Sequence, residues 1–199
     1  MNYNLAFIGF GNVARALARL LIRKQDLLKS QYGITFSFTG IATGSHGFAV
    51  NPNGLDLQKA LSLVQSGESV FPLSSFPVND SLSVIQQAKA HVMFENSPVN
   101  TKTGQPALDH IRMALELGMH AITANKGPVV HGYRELTALA KSKGKTFGFE
   151  STVLGGAQYS LSFVRHFHWQ NFPRSKGFST RQRISSSPEW KTANPMRMW

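Results

Sequence analysis

Cysteine is absent from these 199 residues, which excludes thiol nucleophiles, thiolate metal sites and disulfides and permits a reducing compartment. Acids are scarce: ten Asp and Glu stand against 21 Lys and Arg, for a formal charge of +11. Long apolar runs are missing as well, and none approaches the roughly 18–20 residues that span a bilayer. Met1-Asn2-Tyr3 leads straight into Leu5-Ala6-Phe7-Ile8, with no basic n-region, apolar leader or cleavage site before it. A cytoplasmic protein with one core of ordinary domain size and an appendage is the expectation.

The charge is unevenly spread. Residues 162–199 carry seven Lys and Arg against the single acid Glu189, a net of +6, whereas residues 1–161 carry 14 against nine acids, a net of +5. Arg15, Arg19, Arg23 and Lys24 fall on a helical pattern and read as a solvated face. A basic nucleic-acid-binding protein is the alternative such a charge raises, and no recognised module supports it.

Strand and helix patterns alternate through residues 1–161. The strand at residues 4–8 gives way at Gly9-Phe10-Gly11-Asn12-Val13-Ala14 to a helix with Val13, Leu17, Leu20 and Leu21 on one side. Ile34 to Ala42 reads as a second strand, and turn formers fill Thr43 to Gly47 and Asn51 to Gly54. Helices follow near 55–65, 81–89, 107–117 and 131–142, interleaved with strands at His91–Glu95, Ala121–Thr123 and Thr146–Glu150. Strands separated by helical segments call for right-handed crossovers, hence an α/β, Rossmann-like doubly wound parallel sheet. From about Ser162 the periodicity stops, which gives two parts: a sheet domain over 1–161 and a basic, disordered tail over 162–199.

The glycine loop carries the first chemistry. Gly9 permits the tight turn out of the strand, Gly11 lets a pyrophosphate approach the backbone, and Ala14 takes the third small position where helix and strand pack. Phosphate would sit on the amides of Asn12 and Val13 at the helix N-terminus. The end of the second strand, Gly40 to His46, holds no carboxylate to take ribose hydroxyls and repel a 2′-phosphate. NADP is therefore favoured over NAD, with Thr43, Ser45 and His46 as the phosphate contacts available. Asn96 and Ser97, after the strand ending at Glu95, lie where backbone groups meet a nicotinamide ribose. Lys126, in Ala124-Asn125-Lys126-Gly127-Pro128, follows the next strand on the same edge, where an ammonium can polarise a carbonyl or anchor the cofactor's amide or ribose. Glu150 begins a glycine turn, and exposed carbonyls beside a carboxylate suit a hard cation such as Na⁺ or Ca²⁺.

Taken together, Gly9-Phe10-Gly11-Asn12-Val13, Asn53-Gly54-Leu55-Asp56-Leu57, Thr123 to Pro128 and Phe149 to Ala157 resemble the corresponding segments of homoserine dehydrogenases, over residues 3–161. The resemblance implies reduction of aspartate semialdehyde to homoserine with NAD(P)H, on the route to threonine, methionine and isoleucine. It implies that Lys126 contacts cofactor and substrate as the catalytic lysine, that Asn12 and Val13 hold the pyrophosphate, and that Glu150, Val153, Gly155 and Ala157 surround a monovalent cation, Na⁺. Members of the family are homodimers; this chain is not expected to reproduce that assembly. Ala14 stands where the family has glycine, and the nucleotide-selecting loop has no basic residue.

The resemblance stops after Ala157. The family continues with a substrate domain opened by a motif like GILNSTTN, which is missing here in the frame as read. Lys176 to Trp190 nevertheless admits a choice of synonymous codons whose reading one base earlier gives GILNSTTNFILTRM. The expectation is that the frame shifts near residues 160–165 and that Phe163 to Trp199 is out-of-frame translation. The chain is then a truncated oxidoreductase that binds cofactor with weak or no turnover, and a non-catalytic dinucleotide-binding module is the alternative.

Overall fold

Leu5, Ala6, Phe7 and Ile8 are all buried, so the first strand has no solvent face and must lie inside a sheet covered on both sides. A computed structural model describes residues 1–152 and places that strand, β1 (Asn2–Ile8), between its two parallel neighbours. The elements run β1, α1 (Asn12–Tyr32), β2 (Thr35–Ala42), β3 (Phe48–Val50), α2 (Leu57–Gln65), α3 (Ser81–Gln87), β4 (Val92–Glu95), α4 (Ala107–Glu116), β5 (His120–Thr123), α5 (Lys126–Ser142) and β6 (Phe147–Gly148). They form one six-stranded sheet in the order β3-β2-β1-β4-β5-β6. The chain moves outward from β1 in one direction, then returns and moves outward in the other. The reversal lies between β1 and β4, whose carboxyl ends Ile8 and Glu95 are paired.

Alternation along β1 divides the interior in two. Ala6 and Ile8 pack with Met93, Ala121, Ile85, Ile111, Leu115 and Leu136, beneath α3, α4 and α5. Leu5 and Phe7 pack on the opposite side with Phe10, Ala14, Ala18, Phe38, Leu57 and Leu61, against α1 and α2. Phe7 anchors that second half, stacking on Phe38 at 5.5 Å and on Phe94 at 5.2 Å between ring centroids.

Four sequence expectations are corrected. The turn-rich stretch after β2 contains a strand: β3 pairs antiparallel with β2, Gly40 opposite Val50, so the sheet is parallel except at this edge. Three residues are too few to show a period, and the reversal is closed locally by the Thr43 amide donating to the Gly47 carbonyl at 3.0 Å. The buried stripe of α1 is set by Ala14 and Ala18, while Val13 and Leu20 are 59% and 41% exposed. Small residues let the helix approach the sheet, which turns the larger neighbours outward. Helix α5 begins at Lys126 rather than near 131, because Asn125 caps it, its side-chain Oδ1 accepting from the Gly127 amide at 2.9 Å. Pro128 is tolerated within that first turn, where its missing N–H is not needed. The last strand is shorter than Thr146–Glu150: only Phe147 and Gly148 pair, and Glu150–Thr152 form a 3₁₀ turn closed by the Thr152 hydroxyl donating to the Phe149 carbonyl at 2.6 Å.

Candidate functional site

The carboxyl edge of the sheet gathers the candidate residues that the described part contains. Gly9 to Ala14 leave β1, Thr43 and Ser45 leave β2, Asn96 and Ser97 leave β4, Lys126 follows β5 and Glu150 follows β6. In an open sheet of this type the crevice at the reversal point is where ligands bind.

Gly9 brings the β1 and β4 exits together. Its φ is +85°, a left-handed conformation, and a Cβ there would lie 2.4 Å from the Ser97 amide nitrogen and 2.6 Å from the Asn96 carbonyl oxygen. The β1 and β4 exits thus touch through their backbones, tied further by the Asn96 amide donating to the Ile8 carbonyl at 2.7 Å. Gly11 is the opposite case: a Cβ there would meet nothing within 4 Å. Open space therefore lies above the backbone at the entry to α1.

That entry is left uncapped. Asp56, Asp80 and Asn125 each accept a backbone amide at the start of α2, α3 and α5, whereas Gly11 offers α1 no side-chain cap, and the first turn has no acid. The first-turn amides of Asn12, Val13 and Ala14 lie beyond the reach of intrahelical acceptors and are available to an anion. Arg15, read from sequence as part of a solvated face, lies back over this turn. Its Nη2 donates to Asn12 Oδ1 at 2.7 Å and its Nε to the Gly11 carbonyl at 3.4 Å. The sequence signal for it was the i,i+3 spacing from Asn12.

The loop after β2 keeps its one buried hydroxyl for itself. Thr43 Oγ1 donates to the Gly47 carbonyl at 2.9 Å and accepts from the His46 amide at 2.6 Å. Ser45 stands exposed at the tip, and the His46 carbonyl is fastened by the Val70 amide at 2.8 Å. The loop sequence Thr43 to Gly47 itself holds no carboxylate.

Beneath the β4 exit lies a group that sequence reasoning passed over. Glu95 is fully buried, and its carboxylate accepts from the Ser97 amide at 3.1 Å, from the Ser97 hydroxyl, and from Thr123 Oγ1 at 3.1 Å. Thr123 Oγ1 accepts from the Asn125 amide at 2.9 Å, and Asn125 Nδ2 donates to the Ser97 carbonyl at 3.0 Å. One network therefore sets the exits of β4 and β5 together. The Asn96 side-chain nitrogen is buried in this region without a partner. Lys126 emerges from the network exposed, in the first turn of α5, and forms no ion pair among the described residues.

The site fits a dinucleotide's pyrophosphate on three counts: an open cradle over Gly11, an uncapped helix start and a guanidinium beside it. No group of three or more His, Cys, Asp or Glu able to hold a metal occurs among the described residues. Of the expected cation ligands only Glu150 is described, exposed in its 3₁₀ turn; Val153, Gly155 and Ala157 lie outside the described residues. No described helix is long and apolar enough to cross a membrane.

Comparison with known proteins agrees with this geometry. No protein-family profile matches the chain. A homoserine dehydrogenase of Methanocaldococcus jannaschii is 36% identical over 166 residues, which cover 81% of this chain and 48% of that protein. An NAD(+)-dependent homoserine dehydrogenase of Pseudomonas canavaninivorans is 35% identical over 156 residues, covering 77% of this chain and 44% of that protein. Among solved structures, a hyperthermophilic archaeal homoserine dehydrogenase in complex with NADPH superposes with a TM-score of 0.63 at 25% identity, over 76% of this chain and 44% of that one. The Thermoplasma acidophilum homoserine dehydrogenase superposes with a TM-score of 0.67 at 20% identity, a likeness of fold. Across about four fifths of its length the chain is homologous to homoserine dehydrogenases, and it spans about half the length of the curated relatives it matches.

Proposed function

We propose that the described residues form the dinucleotide-binding half of a cytoplasmic homoserine dehydrogenase, with NADP preferred to NAD and aspartate semialdehyde and homoserine as the substrate pair of the whole enzyme. The observation that carries the reading is the uncapped start of α1, open above Gly11 and wedged through Gly9 against Asn96 and Ser97, on the edge that also presents Lys126. The amides of Asn12, Val13 and Ala14 donate to the pyrophosphate, and Arg15 adds positive charge beside it. Asn96 and Ser97 meet the nicotinamide ribose, and Ser45, beside a Thr43 committed to its own loop, is the contact left for a 2′-phosphate. A bound nicotinamide supplies hydride chemistry that no side chain of this chain provides. Lys126 holds an ammonium where it orients that end of the cofactor or polarises the substrate carbonyl.

Residues 1–161 are read as the cofactor domain, and 163–199 as out-of-frame sequence. Hydride transfer needs both carbons held in near-attack geometry. On this reading most contacts to the aldehyde belong to the half of the enzyme beyond the matched residues, which span about half the length of the relatives. The expected result for the 199-residue chain is therefore cofactor binding with little turnover, measured as NADPH oxidation with aspartate semialdehyde. A steady enzymatic rate from pure protein would contradict it. Sequencing the gene from codon 155 onward tests the tail: codons that lack the GILNSTTN reading in the adjacent frame would remove the frameshift.

A further inference from the structure

The buried pair Glu95–His110 has no part in the chemistry assigned to the edge above it. Glu95 is 0% exposed and His110, on α4, is 4% exposed. The His110 Nδ1 lies 3.6 Å from Glu95 Oε1, makes no hydrogen bond, and is the one cationic-capable group within ion-pair distance of that carboxylate among the described residues. A carboxylate this deep is costly unless its charge and lone pairs are met. Glu95 is met mainly by groups that belong to the site: Ser97 through its amide and hydroxyl, and Thr123, which in turn holds Asn125 and so the cap of α5. A simple strand terminus has no need of a buried carboxyl group. One that must fix two strand exits at once gains from an acceptor that can bind three donor groups.

We propose that Glu95 and His110 are positioning residues for the nicotinamide end of the dinucleotide, acting through Ser97 on one side and through Thr123 and Asn125 on the turn that carries Lys126. This rests on the dinucleotide reading above and adds the division of labour within it. The α1 end of the site, built from Gly11 to Arg15, shares no hydrogen bond with the pair. The pair therefore matters for the complete cofactor and not for its adenine half.

The test compares binding of NADPH with binding of 2′-phospho-ADP, the same molecule without its nicotinamide riboside, by calorimetry on the full 199-residue chain. Glu95→Gln and His110→Asn are each expected to weaken NADPH by at least about tenfold while changing the fragment by no more than about twofold. The double variant should lose little beyond either single one. Thr123→Val, nearly isosteric and on the same network, should give the same ratio and serves if the Glu95 variant does not fold. Equal losses for cofactor and fragment, or no loss, would overturn the positioning role while leaving the dinucleotide reading in place. Unchanged chain that binds neither ligand would overturn both.

Discussion

Gly9 is the residue on which the site turns, because two backbones meet where its side chain would stand. Gly9→Ala would force a Cβ into the Asn96–Ser97 peptide and strain a φ of +85°. A destabilisation of about 1–3 kcal/mol, with loss of cofactor binding, is expected from chemical denaturation and titration of that variant. Gly11→Ala separates the two effects: nothing in the protein opposes its methyl, so folding should be nearly unchanged while a pyrophosphate is displaced. Gly9 and Gly11 were legible because their spacing, after an apolar run and before a helical one, is itself the physical requirement. Glu95 was not legible as a buried group. An acid at a strand end usually meets water, and only the folded arrangement brings Ser97, Thr123 and His110 around it.

At the scale of elements, α5 carries a sign of selection for function over stability. A lysine in the first turn opposes the positive end of the helix dipole. Lys126→Met should raise unfolding stability by about 0.3–1 kcal/mol at low ionic strength, a gain that shrinks with salt, while weakening NADPH. Thermal melts at two salt concentrations beside a binding titration check both halves. The opposite edge of the sheet offers a pH test. His120 Nδ1 accepts from the Thr146 amide at 3.1 Å and ties β5 to the chain entering β6. Burial first, then Lys145 and His91, hold the ring's pKa below the ordinary histidine value. The folded ring is thus harder to protonate than the unfolded one. Its contribution is complete above the unfolded value of about 6.5 and is lost as pH falls through the folded value. Melting temperature should drop between pH 7 and pH 5, and His120→Asn, which keeps an acceptor at the same place, should flatten that drop. An unchanged slope in the variant would assign the acid sensitivity elsewhere.

Over the whole molecule, the alternation of strand and helix patterns was enough to anticipate a doubly wound sheet, because buried parallel strands read as continuous apolar runs such as Leu5–Ile8. The antiparallel β3 escaped, since a three-residue strand whose hydrogen bonds come from its neighbour leaves no period of its own. The start of α5 escaped as well: the pattern pointed to its middle, and only the Asn125 cap fixes its beginning. Charge was the composition signal most apt to mislead, as more than half of the +11 excess lies in residues 162–199, beyond the described residues that form the site. The measurement that bears most directly on the proposal is a calorimetric titration of the 199-residue chain with NADPH and with NADH at neutral pH. One site per chain, with NADPH the tighter ligand and binding lost in Gly11→Ala, is the predicted result. Absence of binding by either dinucleotide at millimolar concentration would contradict it.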